Sequence, residues 1–488
     1  MKKNVIAFDF GASSGRAIIG KYNHGNLELE EVHRFVNEPI TKNGMLYWNI
    51  DDLFEQIKTG IRKATDKYEI DSLGIDTWGV DYGLLDENGT LLGSPIHYRD
   101  VRTKDAVKKF SQLISEDELY EMSGIQIMEI NTMFQLLIEK NEHSKRFEKA
   151  KTMLLMPDLM NYLLTGVVKS EMSIASTTGM LNPITKTWNW SLIEKLGLPV
   201  HIFKEITEEG QMLGVIKPEL ELPSLPVFNV CSHDTASAVV SVPNDENCLF
   251  VSCGTWSLIG CELDYPVINE KSKKYNLTNE SGVNKTTRLL KNLTGLWIIQ
   301  ELKRDYQSNG KIYSYIDFER LARDTKQITS FIDTEDESFK TPGNMANKIL
   351  NYIQKTEQTL PTTDGELIRL VYESLAFKYR QTFLEIMDTT DVVFDTINIF
   401  GGGCQSELLC EMVANVSDLK VIAGPVEATA IGNIAIQLIK HQAINSLEEA
   451  RMWIGNNTNA QTYHPQNHHT YKVRYTNYQN MLKMVSHD

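Results

Sequence analysis

Several familiar cofactor-binding motifs are absent from this chain of 488 residues. There is no G-x-x-x-x-G-K-[ST] stretch, which excludes the P-loop fold of many nucleotide hydrolases. There is no G-x-G-x-x-G stretch either, which argues against a dinucleotide-binding fold and against a protein kinase. Any phosphate chemistry must therefore depend on other loops.

A surplus of basic residues is also absent. The sequence has 49 Lys and Arg against 64 Asp and Glu, which gives a formal net charge of −15. Because nucleic-acid binding requires a basic surface, this balance argues against a nucleic-acid partner. An anionic substrate would have to be bound by backbone amides, a metal ion or a few well-placed basic groups.

Cysteines are few, and long apolar runs are missing. The six cysteines form no C-x-x-C pair and no zinc pattern, so we interpret them as small buried side chains in a reducing compartment. No apolar stretch approaches the roughly 18 residues that span a bilayer. The apolar run after Lys3 is interrupted by Asp9 and is too short for a secretory signal. We expect a cytoplasmic protein without membrane association.

Two similar strand-and-turn segments are present. Residues 5–14 (VIAFDFGASS) and 249–257 (LFVSCGTWS) each run from an apolar strand into a glycine and then into hydroxyl residues. Such a turn offers N–H and O–H groups to an anion, most often phosphate. The repeat suggests a nucleotide held by two related domains, whereas the alternative is two ordinary strand exits.

Strands alternate with helices along the rest of the chain, which indicates α/β architecture. The pattern Thr363-x-x-Glu366 predicts a capping box that opens a long helix over 366–387. A later helix over 428–439 is expected to complete the second half. We predict an N-terminal domain over 1–243 and a C-terminal domain over 244–445, followed by a tail over 446–488 whose packing is left open.

Three turns are candidates for phosphate binding, namely residues 11–16, 254–257 and 401–403. The triple glycine of the last lets a ligand approach the backbone closely, although a tight turn alone would explain it. Asp9 precedes the first turn, where a carboxylate suits Mg²⁺; a turn-stabilising aspartate is the alternative.

Asp234 is the candidate catalytic acid or base, because it follows an apolar strand and begins a helix. The helix terminus predicts a lowered pKa for its carboxylate, which is tolerable in phosphoryl transfer, where proton removal is late. An N-cap aspartate is the alternative. His233 is interpreted as a contact to a ligand hydroxyl or as a structural histidine.

Two further segments are open to two interpretations each. Trp78 and Gly79 would offer a flat apolar face to a sugar ring, but a core tryptophan is the commoner case. The polar cluster of His97, Arg99, Asp100 and Arg102 would bind sugar hydroxyls or form an ion-pair network.

Taken together, the motifs resemble those of the FGGY carbohydrate kinases, and within that family the kinases of L-rhamnulose. The segments that carry the resemblance are 9–16 (DFGASSGR), 74–81 (GIDTWGVD), 155–158 (LMPD), 232–238 (SHDTASA), 252–257 (SCGTWS), 292–297 (NLTGLW), 401–405 (GGGCQ) and 423–428 (AGPVEA). They follow the family's order from residue 5 to about residue 440.

The resemblance implies two actin-like domains with a ribonuclease H-like core and an interdomain catalytic cleft. It implies transfer of the γ-phosphate of ATP to the 1-hydroxyl of L-rhamnulose in L-rhamnose catabolism. Other sugar kinases of the family place different residues before the catalytic base, so His233 with Thr77, Trp78 and Gly79 favours rhamnulose over xylulose, fuculose or glycerol. The remaining alternatives are a family kinase for another ketose or polyol and a non-catalytic actin-like module, and the chain would act as a monomer or homodimer.

The resemblance also assigns roles to single residues. Asp234 matches the catalytic base, and Asp9 matches the aspartate associated with Mg²⁺. The ATP-binding positions are Ala12, Ser13, Ser14, Gly15, Arg16, Thr255, Gln300 and Gly402. The sugar-binding positions are Gly79, His233, Asp234, Thr235 and Asn292. A cysteine pair that some members carry in the second domain cannot form here, because no cysteine lies between Cys261 and Cys404.

Overall fold

A computed structural model describes residues 1–242, 247–325, 329–466 and 468–485 of the protein. Strands and helices alternate along these residues. The strands within these residues are β1 (Lys2–Phe10), β2 (Ser14–Asn23), β3 (Asn26–Val36), β4 (Ile40–Lys42), β5 (Met45–Tyr47), β6 (Ser72–Thr77), β7 (Tyr82–Leu85), β8 (Thr152–Leu155), β9 (Ser170–Glu171), β10 (Ile206–Thr207), β11 (Met212–Val215), β12 (Pro226–Phe228), β13 (Cys248–Cys253), β14 (Trp256–Leu263), β15 (Thr278–Ser281), β16 (Thr287–Thr294), β17 (Thr396–Phe400), β18 (Lys420–Ala423) and β19 (Gln461–Tyr463).

Helices connect and cover these strands. Within the same residues they are α1 (Ile50–Thr65), α2 (Ala106–Phe110), α3 (Glu116–Ser123), α4 (Thr132–Glu142), α5 (Ser144–Phe147), α6 (Met156–Thr165), α7 (Met172–Ser176), α8 (Trp190–Lys195), α9 (Asp234–Val240), α10 (Glu270–Lys274), α11 (Trp297–Ser308), α12 (Tyr315–Asp324), α13 (Met345–Lys355), α14 (Asp364–Thr390), α15 (Glu407–Ser417), α16 (Ala428–Lys440), α17 (Leu447–Asn457) and α18 (His468–Val485). None of the helices described is both long enough and apolar enough to cross a bilayer.

The chain forms two compact units, and each is assembled from separate segments. Unit 1 comprises Met1–Asn244, Glu262–Leu289 and Ala428–Asn457, and unit 2 comprises Asp245–Cys261, Leu290–Glu427 and Thr458–Asp488. The chain therefore changes unit within β14 and again within β16. The predicted boundary between residues 243 and 244 lies outside the described residues.

A six-stranded sheet forms the centre of unit 1, in the order β11-β12-β6-β1-β2-β3 among the described strands. Residues 4–10 of β1 are all buried, as expected of a strand covered on both faces. β1 is antiparallel to β2 and parallel to β6. β12 is also parallel to β6, so three strands end at the same edge of the sheet.

Helix α1 covers one face of this sheet with the apolar stripe that its sequence predicts. Leu53, Ile57, Ile61 and Ala64 are buried at helical spacing, and the Asn49 side chain caps the first turn. The stripe is thus explained by burial against the sheet.

Helix α16 also packs on the sheet of unit 1, although we expected it to complete the second half of the chain. Gln437 Nε2 donates to the carbonyl oxygen of Ile6 at 3.0 Å. A Cβ at Gly432 would lie 1.8 Å from the backbone oxygen of Ser237 in α9, so only glycine allows this approach. These contacts, which are far apart in sequence, explain the difference.

Unit 2 repeats the strand arrangement of unit 1. β13 is antiparallel to β14 and parallel to β17, which continues through β18 to β19. The predicted capping box is confirmed, since Thr363 Oγ1 accepts from the N–H of Glu366 at 3.2 Å and Glu366 Oε2 accepts from the N–H of Thr363 at 3.3 Å. It opens α14, which extends the predicted helix at both ends.

The C-terminal segment, whose packing the sequence leaves open, is divided between the units. Helix α17 belongs to unit 1, whereas β19 and α18 belong to unit 2. In α18 the ring of Tyr478 lies 5.5 Å from that of Phe377 in α14, measured between centroids. The segment is therefore part of both folded cores.

Candidate active site

Three carboxylates meet at the edge of the sheet in unit 1. Asp9 in β1 lies opposite Asp76 in β6 in the parallel register. A parallel bridge between Thr77 and His233 brings the start of α9 to the same edge. The charges of Asp9 and Asp234 both raise the pKa of Asp76, after burial as the main cause. The register of the strands therefore brings these acids together.

Asp234 is the first residue of α9, and His233 occupies the N-cap position. Oδ1 of Asp234 accepts hydrogen bonds from the N–H of Thr235 at 2.6 Å and from Thr235 Oγ1 at 3.2 Å. The same oxygen lies 3.3 Å from His233 Nε2. Its side chain is 31% exposed. Within the described residues Oδ2 has no hydrogen bond, so one oxygen is held while the other is open to a ligand.

The pKa of Asp234 is raised above its ordinary value, so the prediction of a lowered pKa is wrong. Burial is the main cause, the neighbouring charge of Asp9 adds to it, and His233 and Thr235 oppose it. A raised pKa makes the carboxylate a stronger proton acceptor.

The backbone just before Asp234 is fixed by the buried carboxylate of Glu171. Its Oε2 accepts from the N–H of Ser232 at 3.1 Å and from Ser173 Oγ at 2.6 Å. Ser173 Oγ in turn accepts from the N–H of His233 at 3.1 Å. Asp234 therefore stands on a rigid segment.

The predicted phosphate turn of unit 1 is the tight connection between β1 and β2. The N–H of Gly11 donates to the carbonyl oxygen of Ser14 at 2.9 Å. In the described part of the chain the N–H groups of Ala12 and Ser13 have no acceptor, which suits an anion. A Cβ at Gly15 would lie 2.2 Å from the ring of Phe35, so the glycine lets β3 pack closely.

Asp9 and Arg16 face each other across this hairpin, with Arg16 Nη2 donating to Asp9 Oδ2 at 2.5 Å. Asp76 Oδ1 is buried and has no hydrogen-bond partner among the described residues. No group of three acidic, histidine or cysteine side chains there is arranged to hold a metal ion alone. Mg²⁺ usually takes one or two protein carboxylates and completes its shell with water and phosphate, so Asp9 fits such an ion bound together with a nucleotide.

The structure shows whether Trp78 offers a face to a sugar or lies in the core. Trp78 is only 6% exposed and packs against Trp48, with ring centroids 4.0 Å apart. Both indole N–H groups donate to Asp81 Oδ2, from Trp48 at 2.6 Å and from Trp78 at 3.1 Å. Trp78 is thus a core residue. Gly79 is half-buried, and a Cβ there would lie 3.0 Å from Thr177.

The polar cluster after residue 96 is also mostly structural. Arg102 Nη1 lies 3.1 Å from Glu139 Oε2 in a buried ion pair. Asp100 Oδ2 accepts from the N–H of Leu46 at 2.7 Å, and His97 stacks on Trp48. These contacts support an ion-pair and packing network rather than sugar binding.

Two of the predicted ATP-binding residues of unit 2 contact each other. Thr255 Oγ1 donates to Gln300 Oε1 at 3.2 Å. The turn that carries Thr255 is closed by the N–H of Gly295, which donates to its carbonyl oxygen at 3.0 Å. A Cβ at Gly295 would lie 2.5 Å from the backbone of Trp256, so glycine is required there.

The triple-glycine loop follows β17 and lies at the same edge of the unit 2 sheet as the turn that carries Thr255, which follows β13. The two strands are parallel, and Phe400 in β17 pairs with Ser252 in β13. A Cβ at Gly403 would lie 2.1 Å from Cys253 Sγ, whereas one at Gly402 would have no neighbour within 4 Å. Gly402 is therefore the open position of the loop. Asn292, a predicted sugar contact, lies in β16 of the same unit.

Sequence reasoning missed four charged residues of the site in unit 1. Asp76 lies within a quoted motif, and the parallel pairing of two predicted strands would have placed it beside Asp9. Glu171, Glu280 and Arg288 are fully or almost fully buried but carry no sequence signal. Arg288 is 55 residues from its partner His233 in the sequence, and Glu171 is 61 residues from its partner Ser232.

Comparisons with known proteins cover nearly the whole chain. The model of the FGGY family of carbohydrate kinases, N-terminal domain, matches residues 4–241, and that of the C-terminal domain matches residues 249–441. The chain is 40% identical over 467 residues to the rhamnulokinase of Oceanobacillus iheyensis, covering 95% of this chain and 98% of that protein. It is 37% identical over 489 residues to the rhamnulokinase of Bacteroides thetaiotaomicron, covering 99% and 100%.

Solved structures share the fold at low sequence identity. A gluconate kinase from Lactobacillus acidophilus superposes with a TM-score of 0.83 at 18% identity, covering 99% of this chain and 98% of that one. The glycerol kinase of Plasmodium falciparum with ADP superposes with a TM-score of 0.79 at 14% identity, covering 99% and 98%. With both domain models matched in order, the chain belongs to the FGGY family of carbohydrate kinases.

Proposed function

We propose that this kinase transfers the γ-phosphoryl group of ATP to the 1-hydroxyl of L-rhamnulose, giving L-rhamnulose 1-phosphate and ADP in L-rhamnose catabolism. Rhamnulokinases 37–40% identical over nearly the full length support this substrate. His233 beside Asp234 supports it too, because other sugar kinases of the family place different residues before the catalytic base.

The observation that carries the mechanism is the asymmetric environment of the Asp234 carboxylate. Oδ1 is occupied by Thr235 and His233, which leaves Oδ2 for the hydroxyl of the sugar. In our proposal Asp234 Oδ2 accepts the proton of that hydroxyl while the hydroxyl oxygen bonds to the γ-phosphorus. The bond between the γ-phosphorus and the oxygen that bridges to the β-phosphate breaks, and ADP leaves. Gly79, His233, Thr235 and Asn292 would bind the remaining sugar groups.

ATP would be held by Ala12, Ser13, Ser14, Gly15, Arg16, Thr255, Gln300 and Gly402. The N–H groups of the first turn suit the phosphates, and the open face of Gly402 suits close approach of the nucleotide. Mg²⁺ bound at Asp9 would offset the negative charge of the phosphates. Arg16, which pairs with Asp9, would then be the protein cation beside that charge.

The proposal is tested by measuring ADP release with L-rhamnulose, L-xylulose, L-fuculose and glycerol as acceptors. We expect kcat/KM to be highest for L-rhamnulose. Asp234→Asn should retain binding of ATP and sugar but lose roughly 10²- to 10⁴-fold in kcat, because it cannot accept the proton.

Three outcomes would contradict this proposal. ATP turnover that no acceptor stimulates would indicate a nucleotide-gated module, and a higher kcat/KM for another acceptor would change the substrate. Near-normal kcat in Asp234→Asn would remove this residue from the chemistry.

A further inference from the structure

The backbone at Val80, between β6 and β7, has a conformation that valine rarely adopts. Its φ is 66°, in the left-handed region that β-branched side chains disfavour. The N–H of Asp81 donates to the carbonyl oxygen of Gly79 at 2.9 Å, and a hydrogen bond that spans three residues at this φ is typical of the strained form of the γ-turn. Such strain persists only where the surrounding structure holds it, and it is concentrated at functional sites.

Three polar side chains hold this turn. The N–H of Val80 donates to Thr177 Oγ1 at 3.0 Å. The carbonyl oxygen of Val80 accepts from Thr132 Oγ1 at 2.6 Å and from Gln135 Nε2 at 3.3 Å. The side chain of Val80 is buried in the same apolar cluster as Trp78. Hydrogen bonds and burial, and not the backbone preference of valine, therefore maintain the turn.

Thr177, which directly follows α7, contacts both residues at the start of the turn. Its Oγ1 donates its single hydrogen to the carbonyl oxygen of Ile174 at 2.8 Å, so the lone pairs of the oxygen remain for the N–H of Val80. A Cβ at Gly79 would lie 3.0 Å from Cγ2 of Thr177, so the methyl group lies directly against Gly79. The hydroxyl and the methyl group of one side chain thus fix this part of the backbone.

The N–H of Gly79 remains available to a ligand. Among the described residues it donates to no acceptor, and the residue is half-buried. It lies between two fixed groups, because the indole N–H of Trp78 is bound to Asp81 Oδ2 and the peptide group after Gly79 is held by Thr177 and Asp81. A backbone N–H only donates, which suits an oxygen atom of a ketose.

We propose that Thr177 is a positioning residue for sugar binding: its hydroxyl holds the γ-turn at Val80, and the turn places the N–H of Gly79 to donate to an oxygen of the ketose. This inference rests on the proposed binding of the sugar at Gly79. It assigns a task to a buried threonine that acts through Val80.

The next residue, Thr178, provides a matched control in the full-length enzyme. Its Oγ1 donates to the carbonyl oxygen of Ala175 at 2.7 Å and accepts from the N–H of Met180 at 3.0 Å, so it makes the same two kinds of hydrogen bond away from the γ-turn. Thr177→Val and Thr178→Val each remove a buried hydroxyl with little change of shape and leave one N–H without its acceptor. Both should therefore lower stability in urea by a similar amount.

Only the change at Thr177 should affect the sugar. We expect Thr177→Val to raise KM for L-rhamnulose roughly 5- to 50-fold and to change KM for ATP less than two-fold. Thr177→Ser keeps a hydroxyl that can accept from Val80 and should restore KM for the sugar, whereas Thr178→Val should leave both KM values unchanged. Calorimetric titration with L-rhamnulose in the absence of ATP should show the same loss of affinity in Thr177→Val, because this measurement does not depend on turnover.

Three results would overturn the inference: normal sugar affinity in Thr177→Val, an equal loss in Thr178→Val, or no recovery in Thr177→Ser. If L-rhamnulose is the preferred acceptor and Thr177→Val binds it normally, the proposed function stands and the role of Thr177 fails. If the panel of acceptors ranks another sugar first, the same variants are compared with that sugar. An error in the proposed substrate and an error in the role of Thr177 therefore give different results.

Discussion

Two opposing effects act on the carboxylate of Asp234, and their sizes decide its pKa. A helix N-terminus stabilises an anion by about 0.3–1 kcal/mol, which is less than one pKa unit. Burial raises the pKa of a fully buried carboxyl group by up to about 3–5 units, so that even partial burial can exceed the effect of the helix terminus, and a neighbouring carboxylate raises the pKa further. At Asp234 burial and Asp9 prevail over His233 and Thr235. The sequence shows that a helix starts at Asp234, but it shows neither that the carboxylate is buried nor that Asp9 lies near it. This explains why the predicted direction of the pKa shift is wrong.

His97 should make the enzyme less stable in mild acid. It stacks on Trp48 with ring centroids 4.0 Å apart, and burial, helped by the charge of Arg99, lowers its pKa from 6.5 to about 4. Between these values the unfolded chain binds a proton that the folded chain does not, so the free energy of unfolding falls as the pH falls. From about pH 7.5 to about pH 5 the loss due to His97 is about 2 kcal/mol.

The measurement compares urea unfolding of the wild type and His97→Gln at both pH values, followed by tryptophan fluorescence. His97→Gln removes the stacked ring and should be less stable near neutral pH, but its disadvantage should shrink in acid. Other titrating groups, such as Asp81, are common to both proteins and cancel in the difference. A difference that is the same at both pH values would show that His97 is not kept neutral by burial.

The triple-glycine loop after β17 offers a matched pair of substitutions. Gly403→Ala places a Cβ 2.1 Å from Cys253 Sγ and 3.1 Å from the Cys253 carbonyl oxygen, so backbone must move. We expect a loss of about 1–3 kcal/mol in the free energy of unfolding. Gly402→Ala meets no atom within 4 Å and should leave stability unchanged.

The same pair tests the nucleotide site. If ATP packs on Gly402, its added methyl group should raise KM for ATP several-fold, as expected when a group is inserted into a close contact. Unfolding is measured by thermal denaturation without ligand, and KM by ADP release at saturating sugar. A Gly402→Ala enzyme with wild-type KM for ATP would exclude close contact between this residue and the nucleotide.

Elements specified by neighbouring residues could be predicted from the sequence. The apolar stripe of α1 and the capping box of α14 depend on residues three or four positions apart, and both are present in the structure. The two hairpins could be predicted for the same reason, because each turn lies between the strands that it joins. The prediction that Thr255 and Gln300 bind ATP came from the family resemblance instead, and the structure shows that the two side chains contact each other.

Features that depend on distant segments could not be predicted. Nothing in the sequence around Glu280 or Arg288 links them to His233, because the hairpin that carries them pairs with it only after folding. The position of α16 is a similar case. Its apolar face predicts burial, but the sheet on which it packs is specified by contacts with distant segments, among them the hydrogen bonds of Asn433 to Asp76 and of Gln437 to Ile6.

Assembly of unit 1 from separate segments predicts that its N-terminal part is unstable alone. Helix α16 contributes Ile434, Ile436 and Leu438, all almost completely buried, to one apolar cluster with the strands of unit 1. Burial of three such side chains is worth roughly 5–9 kcal/mol, which is comparable with the whole stability of a typical domain. A fragment of residues 1–242 should therefore expose this face, bind a hydrophobic dye and unfold without a cooperative transition in urea.

The fragment becomes decisive when it is compared with a second one, in which a flexible linker joins residues 1–242 to residues 428–457. This second fragment should unfold cooperatively and bind less dye, because α16 again covers the strands and Gln437 again donates a hydrogen bond to the carbonyl oxygen of Ile6. Both fragments lack residues 262–289, so the difference between them reports the C-terminal segment alone. Joining α18, a helix of unit 2, through the same linker is the matched control and should not restore cooperativity. Equal urea transitions with and without residues 428–457 would mean that the strands of unit 1 do not need α16 to fold.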